Sequence, residues 1–155
     1  MRFSAAIAAT LCGVLLAGAC GCSRETSSRD VSTYDVRGKV IVNGQPAAGA
    51  SVTLLPAEDA DRLDQSPPTF LVGGLTDEQG EFTLRTNGEK PGAPAGYYLV
   101  GVSWPDPKVE PDRDGGERGP DLIPPRYRDP RQSGIEVEIL PERAAPQELT
   151  VNLTY

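Results

Sequence analysis

The feature that most constrains this chain is an alternation of apolar and polar residues at a period of two, repeated in short blocks from Tyr34 onward. Successive side chains of a β-strand point to opposite faces, so each block buries one face and wets the other. In "DVRGKVIVNG", Val36, Gly38, Val40 and Val42 share one face, and Arg37, Lys39, Ile41 and Asn43 share the other. Asn43-Gly44 then supplies a dipeptide favoured in tight hairpins, since both residues tolerate positive φ. "GASVTLLP" groups Ala50, Val52 and Leu54, and "TFLVGGLT" is a third apolar run. "TDEQGEFTLRT" opens with a turn in which Asp77 caps and Gly80 supplies positive φ. It then sends Phe82 and Leu84 inward and Glu81, Thr83 and Arg85 outward. Tyr98, Val100, Val102 and Trp104 alternate in "GYYLVGVSW", as do Ile135, Val137 and Ile139 in "GIEVEIL". "ELTVNLTY" closes the series with Leu149, Val151 and Leu153.

These blocks make seven short strands, and no segment after residue 30 has helical periodicity. The 17 glycines and 15 prolines among 155 residues reinforce the point, because both residue types punctuate chains with turns and disfavour long helices. The expected fold is all-β: a seven-stranded antiparallel β-sandwich in a single domain, residues 34–155.

Composition narrows the chemistry. The chain contains no histidine, which removes the commonest general base and the commonest zinc ligand. Its net charge of −7 argues against nucleic acid as a partner, where phosphate neutralisation supplies much of the affinity. Cys12, Cys20 and Cys22 are the only cysteines, so the β-domain has no thiol, disulfide or cysteine-based metal site. The expectation is a non-enzymatic protein without cofactor or metal.

The cysteines fall where a processing signal would put them. Met1-Arg2 is followed by the uncharged run "FSAAIAATLCGVLLAGA", Phe3 to Ala19, and then by Cys20. This is the layout of a secretory signal peptide, residues 1–19. It resembles a bacterial lipoprotein signal, in which small and apolar residues end at the cysteine that receives the lipid. Cys20, preceded by Leu16-Ala17-Gly18-Ala19, is favoured as that residue, with Cys22 the alternative. Neither window has leucine three positions before its cysteine, the family's preferred place. An uncleaved anchor and plain secretion are the competing outcomes. The polar residues after the cysteines complete a flexible tether, residues 20–33, whose Ser23–Thr33 portion spans roughly 20 Å as a random coil.

Several stretches together resemble the carboxypeptidase regulatory-like, or transthyretin-like, β-sandwich, of the prealbumin/Ig-like type. They are Gly38–Val40, Asn43–Pro46, Gly49–Leu54, Thr76–Phe82 and Gly96–Val100. "LIPPRYRDPRQSGIEVEI" is similar to the later part of small lipoproteins abundant in planctomycete bacteria. The resemblance covers about Val36 to Leu153 and implies a fold more than an activity. A branch with this fold hydrolyses 5-hydroxyisourate with histidines, which this chain lacks.

The segment Pro105–Ser133 departs from the strand pattern, with 29 residues and seven prolines, and loops this long tend to be functional or disordered. Asp112, Asp114, Glu117 and Asp121 there could offer oxygens to Ca²⁺, without EF-hand spacing; a solvated acidic loop is the default. Tyr127 between Arg126 and Arg128 could bind acidic partners or glycans, or lie across a sheet edge. Trp104 is either strand-end packing or a sugar-stacking face. "PAEDADRLDQ", Pro56 to Gln65, reads as a solvated connection. The functional expectation is a lipid-anchored lipoprotein of the bacterial cell envelope, binding or supporting an envelope protein or surface polymer. A carbohydrate-binding module using Tyr97, Trp104 or Tyr127 is the alternative.

Overall fold

The computed structural model describes residues 31–106, 108–109, 119–141 and 145–155. The signal peptide, Cys20, Cys22, Asp112, Asp114 and Glu117 lie outside the described residues. Ten strands are present among them: β1 (Val36–Val42), β2 (Gln45–Pro46), β3 (Ser51–Pro56), β4 (Val72–Leu75), β5 (Glu81–Thr83), β6 (Arg85–Thr86), β7 (Lys90–Pro91), β8 (Gly96–Ser103), β9 (Glu136–Ile139) and β10 (Gln147–Leu153). One four-residue helix, α1 (Pro130–Ser133), precedes β9. The seven blocks of alternating sequence are the seven longer strand regions; β2, β6 and β7 are two-residue additions at sheet margins.

The strands form two sheets of a sandwich. In the first, β1 is central, with β10 on one side and β2 and β5 on the other. The second runs β7-β6-β4-β3-β8-β9. All pairings are antiparallel except β1 with β10, which is parallel, from Val36 opposite Gln147 to Val42 opposite Leu153. The parallel pair follows from the connection after β9. That strand runs toward the end where β1 begins, and the chain changes sheets there, so β10 starts level with β1.

Most of the core consists of inward residues that the alternation picks out, joined by Ile123 and Tyr127 of the proline-rich segment. Val36, Val40, Val42, Val52, Leu54, Phe82, Leu84, Tyr98, Val100, Val102, Ile139, Val151 and Leu153 are all buried. Gly38 also faces inward, and its lack of a side chain is what admits Phe82. A Cβ there would lie 2.4 Å from the Phe82 ring and 2.7 Å from the Leu149 carbonyl oxygen. Turn chemistry follows the sequence as well: Asn43 (φ 48°) and Gly44 (φ 81°) make the first hairpin. The Asp77 carboxylate accepts from the backbone N–H groups of Gln79 and Glu81 at 2.9 and 2.8 Å.

Two connections are more ordered than their composition implies. Asp59 is buried, and its carboxylate accepts from the Thr69 backbone N–H (2.8 Å) and from Arg62 (2.5 Å). The acidic Pro56–Gln65 stretch is therefore not merely solvated: one of its carboxylates is buried and ties it to Thr69, later in the same β3–β4 connection. The second is the latter half of the proline-rich segment. Asp129 caps α1 by accepting from the Arg131 backbone N–H at 3.0 Å, and Gly134 (φ 72°) ends it. This stretch lies over β8 at Gly101, where a Cβ would meet the Arg128 carbonyl oxygen at 2.8 Å.

Candidate functional site

The strand directions give the sandwich two distinct ends. The described chain enters at the first, beside the start of β1. Tyr34 pairs with Ala93 there, and the Lys90 ammonium donates to the Val31 carbonyl at 2.5 Å. The second end holds the Asn43-Gly44 turn, the Asp77–Gly80 turn, Trp104 and Tyr155. About 20 Å separates the ends along β1, from the rise of a seven-residue strand.

The residues singled out in the sequence gather at and beside the second end, but they are mostly occupied with one another. The Trp104 indole N–H donates to the Ala48 carbonyl at 2.9 Å, and the ring packs against the core at the end of its strand. Tyr127 is buried at 7% exposure. The Arg126 guanidinium lies 4.7 Å from the Tyr127 ring centroid and donates to its hydroxyl at 2.8 Å. Tyr155 stands beyond, ring centroids 6.4 Å apart, and donates its hydroxyl to the Leu122 carbonyl. Tyr127 is thus a strut that holds the proline-rich segment to the body, and little of its ring is left as a stacking face. Arg128 does not flank it as a second cation; it pairs instead with Asp121. Asp121 also accepts from the Ser103 hydroxyl at 2.9 Å, which fastens the segment to β8. Tyr97, at the other end of β8, is exposed, and its hydroxyl engages Glu138 across the strand pair. That carboxylate raises the phenol above its ordinary value, first through the hydrogen bond and then through its charge.

A surface missed in the sequence is larger. The outer face of the first sheet carries an open groove of about 850 Å³. Its side chains stand in two rows fixed by strand register: Glu148–Arg37–Thr83, then Thr150–Lys39–Glu81. Leu75, Asp77 and Arg85 complete its border. Lys39 lies 3.6 Å from Glu81, Arg37 lies 3.5 Å from Asp35, and Arg85 reaches the Glu89 carbonyl at 3.3 Å. Each named cation in the groove thus has an oxygen partner. The result is a charge-balanced, hydrogen-bonding face, with Leu75, Phe82 and Leu149 also in its lining. The alternation had marked Arg37, Lys39, Glu81, Thr83 and Arg85 as outward, but their gathering into one groove depends on which strands pair.

The architecture and this polar face define a β-sandwich module. No protein-family model matches the chain, and no curated protein sequence matches it. Among solved structures it is similar to BcpA, the major pilin subunit of Bacillus cereus, with 17% sequence identity and a TM-score of 0.38. The match takes in 79% of this chain and 30% of the pilin, so the chain spans less than a third of that protein's length.

Proposed function

We propose that this chain is a non-enzymatic, lipid-anchored β-sandwich module of the bacterial cell envelope, of the carboxypeptidase regulatory-like kind. It binds or supports an envelope protein or surface polymer. The observation that carries the reading is the polarity of the sandwich. The chain enters at one end, and Trp104, Asp121 and Tyr155 lie toward the other. An acyl group on Cys20, or on Cys22, would root the entry end and turn the opposite end and the grooved face toward partners. A diacylglyceryl group meets the two-chain requirement for stable anchoring.

The test has two readouts on the full-length chain made in a bacterial host. Mass spectrometry of the mature N-terminus is expected to show a lipidated cysteine. An unmodified chain released to the medium defeats the anchor. In-cell crosslinking from the groove, with a photoreactive residue replacing Thr83, is expected to trap a reproducible envelope component. No adduct above that of an exposed Gln45 control defeats the binding role of that face.

A further inference from the structure

The four sheet margins are not treated alike. β7 is two residues long and contains Pro91, which has no N–H to offer a new strand. β2 is equally short and contains Pro46, while β5 is abutted by β4, where a Cβ on Gly74 would meet the Thr83 carbonyl at 2.7 Å. β9 carries Glu136 and Glu138 and is capped by a side chain: the Gln147 carboxamide donates to the Glu138 carbonyl (2.6 Å) and accepts from the Leu140 N–H (3.1 Å). One carboxamide thus stands in for a strand along that edge.

β10 has no such protection. It is seven residues long and, among the described residues, pairs only with β1. The Gln147 N–H bonds the Asp35 carbonyl, and the Leu153 carbonyl bonds the Asn43 N–H, so Gln147, Leu149, Val151 and Leu153 turn their backbone groups toward β1. By alternation, the N–H and C=O of Glu148, Thr150 and Asn152 point away from the sheet, without partners among the described residues. Along the same side, Val137 and Leu149 are half-buried at the open seam between the sheets.

We propose that this edge pairs antiparallel with β10 of a second copy of the chain, about a two-fold axis through Thr150. In that register Thr150 faces Thr150 of the second copy, and Glu148 faces Asn152 of the second copy in both directions. These are the hydrogen-bonded positions of an antiparallel ladder, so all six outward groups of each strand find partners. On the inner face Leu149 meets Val151 of the second copy, which covers the seam. No like charges oppose. Centring the axis on Glu148 would set two carboxylates against each other, and centring it on Asn152 would strand Glu148 beyond the end of the partner strand. Axes through Leu149 or Val151 would set Asn152 opposite Pro146 or Glu148 opposite Thr154, outside the partner strand, so only the Thr150 axis pairs all six groups within β10.

The test is the oligomeric state of the full-length chain by sedimentation in detergent, with micelles in excess, across the micromolar range. Dimers are expected. Asn152→Lys, which creates two Glu–Lys pairs across the junction, is expected to tighten the dimer. Asn152→Glu, which creates two like-charge pairs, is expected to weaken it, each by roughly threefold to thirtyfold. Thr150→Pro removes only an outward N–H and is expected to abolish dimerisation; circular dichroism checks that it folds. A monomer at every concentration overturns the proposal. So does a dimer that the two Asn152 substitutions move in the same direction or not at all, even if Thr150→Pro fails to fold.

Discussion

Replacing Thr76 by valine tests how the two sheets are joined at the end away from chain entry. The Thr76 side chain is buried among Ala47 and Ala50, both fully enclosed. Its hydroxyl accepts from the Ala50 N–H at 2.7 Å and donates to the Ala47 carbonyl at 2.5 Å. Valine has nearly the same shape, so packing is preserved while both bonds disappear. The Ala50 N–H is then left buried without an acceptor, and the Ala47 carbonyl keeps one inward bond fewer. An orphaned buried donor costs about 1–3 kcal/mol, and the second lost hydrogen bond adds about 0.5–1.5 kcal/mol. The expected loss is therefore about 3 kcal/mol, or roughly 8–15 °C in Tm for a domain of this size. Urea unfolding followed by circular dichroism measures it, with an unchanged m-value showing that stability alone has moved. Thr83→Val, on the exposed face of β5, is the control and is expected to change stability by less than about 0.5 kcal/mol. A Thr76→Val variant as stable as the Thr83→Val control refutes the reasoning, because the hydroxyl would then be contributing nothing beyond its volume.

Other outcomes follow from the same geometry. Gly38→Ala drives a methyl group into the Phe82 ring and is expected to cost about 1–3 kcal/mol, read by thermal unfolding. The Asp59 carboxyl is held below its ordinary range, first by the Thr69 backbone N–H and further by the Thr69 hydroxyl and Arg62, against the opposing effect of burial. Its stabilising contribution is then complete above about pH 4, the unfolded value, and is lost as pH falls through the depressed folded value. The stability gap between wild type and Asp59→Asn is expected to close on acidification, in unfolding experiments at successive pH values; a constant gap argues against an ionised anchor. Asp129→Ala removes the cap of α1 and is expected to cost about 1 kcal/mol, with faster hydrogen exchange at the Arg131 amide.

The strands were legible because their signal is local. Alternation assigns Val36, Val40, Leu54, Val100 and Val151 to the interior wherever the strand finally pairs. The Asn43-Gly44 turn is legible for the same reason. Asn87-Gly88 carries an identical signal, with φ of 53° and 75°, and could have revealed the β6–β7 hairpin. Trp104 was legible only in part, since the phase of its strand gave packing but not the Ala48 carbonyl that holds its indole. Tyr127 and Asp59 were not legible. Their residue types and neighbours point to solvent, and they are buried because other parts of the chain bring Tyr155 to Tyr127 and Thr69 to Asp59.

By itself the sequence determined where the seven longer strands run, which face of each is apolar and where the main turns fall. These depend on backbone sterics and on neighbours within a few positions. Only the tertiary structure decided that β10 lies parallel to β1, that Gln147 closes the β9 edge while the β10 edge is unpaired among the described residues, and that Arg37, Lys39, Glu81 and Glu148 line one groove. Those outcomes rest on contacts between residues far apart in the chain. Nothing in the alternation of a single strand records which neighbour will satisfy its backbone.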